Sequence, residues 1–332
     1  MCIRFSKFIF YCYLVVTIQD IYAASVSIPK VDNQELQQQI NRISPNLLWC
    51  DGQATGTDSN NVDHRPNCDV GDAASESGHF TLVGQFSNEE GIFNAMRNSF
   101  GLDDQPFRAP SYVGKDSSNE FSRDQTLGFI EATVAGLPYS EGLERIERYY
   151  NRNGSLCPNA SDNRCVLTPS MWIYFKDLSG RNVTQLERFL DEQMLNLEAS
   201  ENPLNYRSYL VSRQVFLKAM MGKLTSSYAQ AMKTLYKRAP KNLWFRTVYH
   251  VTNGGTNTDF ENVAKSLVEC MKTWNQPGTT FLWSEGNVEC TQGLYGHELV
   301  SLGHFLLGKS RANSEVVIDT TTIITILNLI LN

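Results

Sequence analysis

The sequence predicts an all-α protein, an (α/α)6 toroid of six helical hairpins, secreted and held by disulfides. Three observations predict it. Twelve segments carry helical periodicity between well-marked caps. Those segments alternate in character along the chain. A secretory leader precedes six cysteines that fall into local pairs.

The leader decides the compartment. Arg4 and Lys7 precede an apolar run from Phe8 to Ile18, and small residues follow at Ala23 and Ala24. That order, basic then apolar then small, is a cleavable signal peptide over 1–24, and the run is too short to span a bilayer. Two of the eight cysteines, Cys2 and Cys12, leave with it. The remaining six pair by proximity as Cys50–Cys68, Cys157–Cys165 and Cys270–Cys290, although about 15 connectivities are open to six cysteines. A zinc site is the rival reading, but no Cys-x-x-Cys pair supports it. Acceptor triplets for N-glycans begin at Asn153, Asn159 and Asn182 and mark that flank as surface. Losing Arg4, Lys7 and Asp20 moves the formal charge from −6 to −7. A mildly acidic chain without a basic cluster excludes nucleic acid as the expected partner. Residues 25–312 suit one large domain.

Four capping boxes mark helix starts: Ser87 with Glu90, Ser122 with Gln125, Thr184 with Glu187, and Thr258 with Glu261. Thr168-Pro169 and Asn202-Pro203 add caps with proline at the first helical position. The helical segments run near 32–43, 72–85, 88–98, 123–135, 141–152, 169–178, 184–198, 203–222, 225–238, 242–252, 259–274 and 293–307. Those at 88–98, 141–152, 184–198, 225–238 and 259–274 have polar faces; in 184–198, Leu186, Phe189, Leu190, Met194 and Leu197 sit among acids and amides. The others are rich in Gly and aromatic residues with isolated charges. Polar helices on the outside and apolar ones packed on several sides give two concentric rings, with 32–43 closing the outer ring. A looser helical array fits the same pattern. Thr279–Trp283 is the one candidate extended piece. The tail 313–332 is apolar and β-branched, and reads either as a packed terminal strand or as the discarded signal of a lipid anchor attached near Asn313.

Three groups of residues are candidates for chemistry. With Ser122 as cap, Arg123 and Asp124 fall in the first turn, where the helix dipole favours an ionised carboxylate. Asp124, Gly128 and Glu131 share a face; acids in first turns also stabilise helices without further function. Asp72, Ser75, Glu76 and His79 follow helical spacing, and a histidine near carboxylates can shuttle protons; a capping Asp72 and a core His79 fit equally well. Trp283, beside Glu285 on a loop ending at Cys290, offers a flat face to a sugar ring, and a partly desolvated Glu285 would serve as general acid. A surface acid on a disulfide loop is the plainer alternative. His297 and His304 lack a third metal ligand and read as core or surface histidines; Trp172, Trp244 and Trp274 read as core. The sequence has no nucleophile elbow, phosphate-binding loop or dinucleotide fingerprint, so neither metal nor cofactor is expected.

Ser122-Arg123-Asp124 followed by a helix resembles the (S/T)-R-D element of glucoamylase-like and related six-hairpin glycosidases. The chain is also similar, over roughly 70–130, to a group of uncharacterised secreted proteins. They share a Gly-Asp opening (Gly71-Asp72), an Arg-x-Pro (Arg108-Ala109-Pro110) and a Phe-Ser-Arg-Asp (Phe121 to Asp124). The resemblance implies that Arg123 and Asp124 grip sugar hydroxyls at the mouth of an inner helix. The expectation is a glycan-active enzyme acting on an oligo- or polysaccharide. Asp72, Asp124 and Glu285 would supply its carboxyl groups, and Arg108, Arg123, His79 and Trp283 would position the substrate. A polysaccharide lyase and a non-catalytic glycan binder or effector are the alternatives.

Overall fold

The computed structural model describes residues 24–47, 49–50, 53–54, 73–84, 89–114, 121–137, 140–157, 165–274, 290 and 296–313. Among them are twelve α-helices: α1 Gln34–Ile43, α2 Ala73–Val83, α3 Glu89–Arg97, α4 Arg123–Val134, α5 Ser140–Asn153, α6 Pro169–Leu178, α7 Gln185–Ser200, α8 Tyr206–Met220, α9 Ser226–Arg238, α10 Leu243–Thr252, α11 Asn257–Thr273 and α12 Gly296–Leu306. They match the twelve periodic segments one for one. A two-residue antiparallel pairing, β1 Trp49–Cys50 with β2 Gln53–Ala54, was not expected. Its signal was there: the Asp51-Gly52 pair between the strands is a hairpin dipeptide.

Local chemistry sets the starts. Ser122 and Thr184 form the expected capping boxes with Gln125 and Glu187, and Thr168 accepts from Met171 N with Pro169 at the first position. Two starts differ from expectation. For α11 the box is Thr256 with Asp259, two residues before Thr258 and Glu261. A shorter acid serves the box as well, and Gly254 (φ 74°) closes the preceding turn. Asn202-Pro203 lies ahead of α8, whose cap is Asn205, boxed with Ser208. Asparagine at 205 is as good a cap as asparagine at 202, and the sequence ranks neither. The Ser87 box and the piece at 279–283 lie outside the described residues.

The alternation in character becomes an alternation in burial. In α4 every residue from Gln125 to Ala132 is buried, and in α8 every residue from Ser208 to Ala219. The odd-numbered helices bury one face each, as in Leu36, Ile40 and Ile43 of α1 or Leu143, Ile146 and Tyr149 of α5. Among the more buried helices, α2 packs on α4, α4 on α6 and α8, α8 on α10, and α12 on α2. Helix α1 lies across α11 and α12.

The tightest of these crossings is written in glycine. A Cβ on Gly78 of α2 would stand 1.9 Å from the carbonyl oxygen of Gly128 in α4, so the two backbones touch directly. A Cβ on Gly84, just past α2, would meet Ser301 Cα of α12 at 2.5 Å. Helix α7 departs from its hydrophobic pattern. It buries Asp191, Leu195 and Ala199, and leaves Leu186, Phe189, Leu190 and Leu197 exposed.

Cys157–Cys165 and Cys270–Cys290 are paired, with Cα–Cα distances of 5.4 and 5.3 Å. The third expected pair needs Cys68, outside the described residues, as is Asn159. Asn153 and Asn182 are exposed. The tail beyond Asn313 is likewise outside the described residues. Among those described, no helix is long and apolar enough to cross a membrane.

Two glycines separate close approach from mere helix propensity. Gly78→Ala should destabilise by about 3 kcal/mol, the upper end for overpacking, because the obstacle is backbone. Gly142→Ala in α5, where the new Cβ meets only ordinary contacts at 3.6 Å, should be neutral or stabilise by up to about 1 kcal/mol. Denaturant unfolding of the two variants reads the difference; equal effects would contradict the crossing.

Candidate functional site

Three capped helix starts open into one cleft. Arg123 is the first residue of α4, Thr168 caps α6, and Arg207 is the second residue of α8; the C-terminal half of α7 adds Met194 and Glu198. Leu127, Met171 and Leu210 form apolar walls, while Ser170 and Gln214 lie deeper. The cavity proper is small, about 20 Å³, within about 380 Å³ of empty space that includes open solvent at its mouth. Backbone N–H groups at helix starts carry partial positive charge. Arg123 and Arg207 add two full charges.

Glu198 is the carboxylate of this cleft. Burial holds its carboxyl above the usual glutamate range, against the pull of the Arg123 guanidinium, with Glu201 pushing the same way as burial. Arg207 pairs with Glu201 at 3.3 Å. The Arg123 side chain is only 21% exposed, and its Nε lies 4.0 Å from Asp124 Oδ1. Gln214, 6% exposed, donates from Nε2 to the Leu210 carbonyl at 3.3 Å. Its Oε1 has no hydrogen-bond partner among the described residues.

Beneath the cleft a buried carboxylate fixes the floor. Asp191 of α7 accepts from Ser170 of α6 and, at 2.6 Å, from the Tyr228 hydroxyl of α9. The Lys218 ammonium of α8 stands 3.4 Å from Asp191 and 4.2 Å from the centre of the Tyr174 ring. Tyr174 in turn donates to the Gln214 carbonyl at 2.9 Å. One aspartate thus joins four helices. This explains the rotation of α7: turning its leucines inward would pull Asp191 from three partners and leave Lys218 charged and buried.

A second network lies in the centre of the core. Glu131 of α4 accepts from His79 Nδ1 of α2 at 2.7 Å, and from Arg213 of α8 through both carboxylate oxygens. All three side chains are fully buried. Arg213 already balances Glu131, so protonating His79 would place an unbalanced charge in the core. Burial accordingly drives the His79 pKa from 6.5 to about 4, outweighing the opposite pull of Glu131. The Trp244 ring closes edge-on over His79 at 5.0 Å.

The structure places Arg123 in the cleft; Asp124 follows it on the first turn of α4, its Oδ1 4.0 Å from Arg123 Nε, but is not among the residues that line the cleft. His79, expected to contact substrate, is enclosed in the core: the glycine crossing presses α2 onto α4 and turns the imidazole onto Glu131. Arg108 is not among the cleft residues and packs beside Tyr112, 6.0 Å from its ring centre. Asp72, Trp283 and Glu285 lie outside the described residues. Among those described, no three His, Cys, Asp or Glu side chains are grouped to hold a metal ion. His297 is buried and stacked on Phe80 at 6.0 Å, and Trp244 and Trp274 are buried in the core.

Sequence reasoning missed Glu198 and Gln214. Glu198 sits among the acids of a helix read as solvent-facing; only its place near the end of α7, before a loop leading to Arg207, distinguishes it. Neither the family models nor the curated proteins contain a match to this chain.

Two measurements check the core network. Glu131→Ala strands Arg213 without a counter-charge and should lower stability by about 3–5 kcal/mol. A loss below about 1 kcal/mol would mean that the pair is not dry. Unfolded His79 takes up a proton near 6.5 that the folded form refuses until about 4. Stability from this group is therefore full above 6.5 and falls as pH drops toward 4. His79→Gln should flatten that slope in pH-dependent unfolding; an unchanged slope would place the titration elsewhere.

Proposed function

We propose that this chain is a secreted glycan-active enzyme of (α/α)6 toroid architecture, a glycoside hydrolase working in the cleft at the starts of α4, α6 and α8. The alternation of more and less buried helices, and the packing of α2 on α4, α4 on α6 and α8, α8 on α10 and α12 on α2, support the toroid. The signal sequence and the two disulfides support export. One observation carries the enzymatic reading: Glu198 lies partly desolvated between two arginines in a concave site where three helix starts converge.

The chemistry follows from the environments. Glycoside hydrolysis uses one protonated and one ionised carboxyl group. Glu198, kept towards its neutral form by burial, donates its proton to the departing glycosidic oxygen as the C–O bond breaks. Asp124, beside Arg123 at the start of α4 though not among the residues lining the cleft, is the second carboxyl group the reading uses. It takes a proton from the water whose oxygen bonds the anomeric carbon. Solvent then exchanges the two protons back. Arg123 holds the sugar between them. The arginine pair also supports the alternative of a polysaccharide lyase on an acidic polymer, whose unsaturated product absorbs in the ultraviolet.

The test is an activity screen of the secreted protein on neutral and acidic oligosaccharides, following reducing ends and ultraviolet absorbance. New reducing ends without absorbance are expected. Glu198→Gln and Asp124→Asn should each lower the rate by roughly 100-fold or more. Glycan binding without turnover, unaffected by Glu198→Gln, would make the chain a binder and end the enzymatic reading.

A further inference from the structure

The cleft holds more cationic recognition than its own acid uses. Arg123 makes no hydrogen bond to any described residue, although its side chain is about four-fifths buried. Its distance to Asp124, 4.0 Å, is beyond hydrogen-bond reach. A guanidinium carries five N–H donors in a planar fork that matches a carboxylate, and burying it without partners is costly. Arg207, also lining the cleft, is half exposed and engages Glu201 with one nitrogen. The three helix starts add positive potential to the same space. Deeper in, Gln214 is more than nine-tenths buried, and its Oε1 is unpartnered among the described residues. A buried amide oxygen in this state awaits a donor.

We propose that the cleft selects an acidic saccharide, with the sugar carboxylate on Arg123 and Arg207 and a sugar hydroxyl donating to Gln214 Oε1. The inference rests on the glycan reading and names its substrate class. A neutral sugar would satisfy Gln214 but leave the Arg123 fork without a carboxylate in hydrogen-bond reach, since Asp124 stands 4.0 Å away. An acidic sugar satisfies both. A simple anion would satisfy the arginines and leave Gln214 unpartnered, so the combination asks for carboxylate and hydroxyl on one molecule. Uronate-containing chains have that pairing on a single ring.

Calorimetric titration of the intact protein with tetragalacturonate, a hyaluronan tetrasaccharide and neutral maltotetraose tests this. At least one acidic tetrasaccharide should bind about tenfold or more tighter than maltotetraose, with the gap narrowing as salt is raised. Arg123→Gln should remove most of that gap, and Arg123→Lys, which keeps charge without the fork, should retain part of it. Gln214→Leu should weaken acidic binding without restoring the neutral sugar. If Arg123→Gln does not fold, the exposed Arg207→Gln substitution reads the same gap. Maltotetraose binding equal to or tighter than both acidic sugars would overturn the acidic selection and leave the glycan reading standing. Absence of binding by all three would overturn both.

Discussion

The arrangement hangs on one carboxylate. Glu131 sits where three buried helices meet, and His79 and Arg213 both end on it. A charge there survives only because its partners are paired and dry: Arg213 reaches both of its oxygens and His79 adds a second bond to one of them. The glycine contact between α2 and α4 makes the geometry attainable, because a single methyl group at Gly78 would keep His79 away from Glu131. Close packing and buried charge are therefore one device. They fix α2, α4 and α8 relative to each other before any loop is considered.

From that centre the cleft follows. Glu131 anchors α4 at its far end, so the first turn with Arg123 and Asp124 is held in register with α8, where Arg213 and Gln214 are neighbours in sequence. Asp191 does for α6, α7 and α9 what Glu131 does for α2 and α8. The two networks share α8, through Arg213 in one and Lys218 in the other. Polar residues thus position the walls of the cleft, and the apolar core fills the space between them. A site built this way has rigid walls, which suits recognition of a ligand with fixed hydroxyl and carboxylate positions.

Much of the fold was legible because helix starts are chemical statements. Ser122 and Thr184 announce themselves through capping partners three residues on, Thr168 through the proline that follows it, and periodicity carries each helix from there. The Arg123-Asp124 pair was legible for the same reason: a cap fixes which residues follow it into the first turn. What could not be read were the long-range pairings. Helix α7 looks like an amphipathic helix with its leucines inward, yet Asp191 faces the core because Ser170, Lys218 and Tyr228 wait there, and no local pattern encodes that meeting. His79 read equally well as a proton shuttle or as a core histidine, and the contact of Gly78 with Gly128 decides for the core. Glu198 is one acid among several on its helix, and becomes distinctive only beside Arg123.

The central claim is that the cleft between Arg123, Glu198 and Gln214 holds a sugar. A crystal structure of Glu198→Gln soaked with an acidic tetrasaccharide addresses it most directly, since loss of the acid should trap the uncleaved chain. The account predicts difference density for a sugar ring against the Arg123 guanidinium, with a hydroxyl on Gln214. A saccharide ordered elsewhere on the molecule, with this cleft empty, would contradict it.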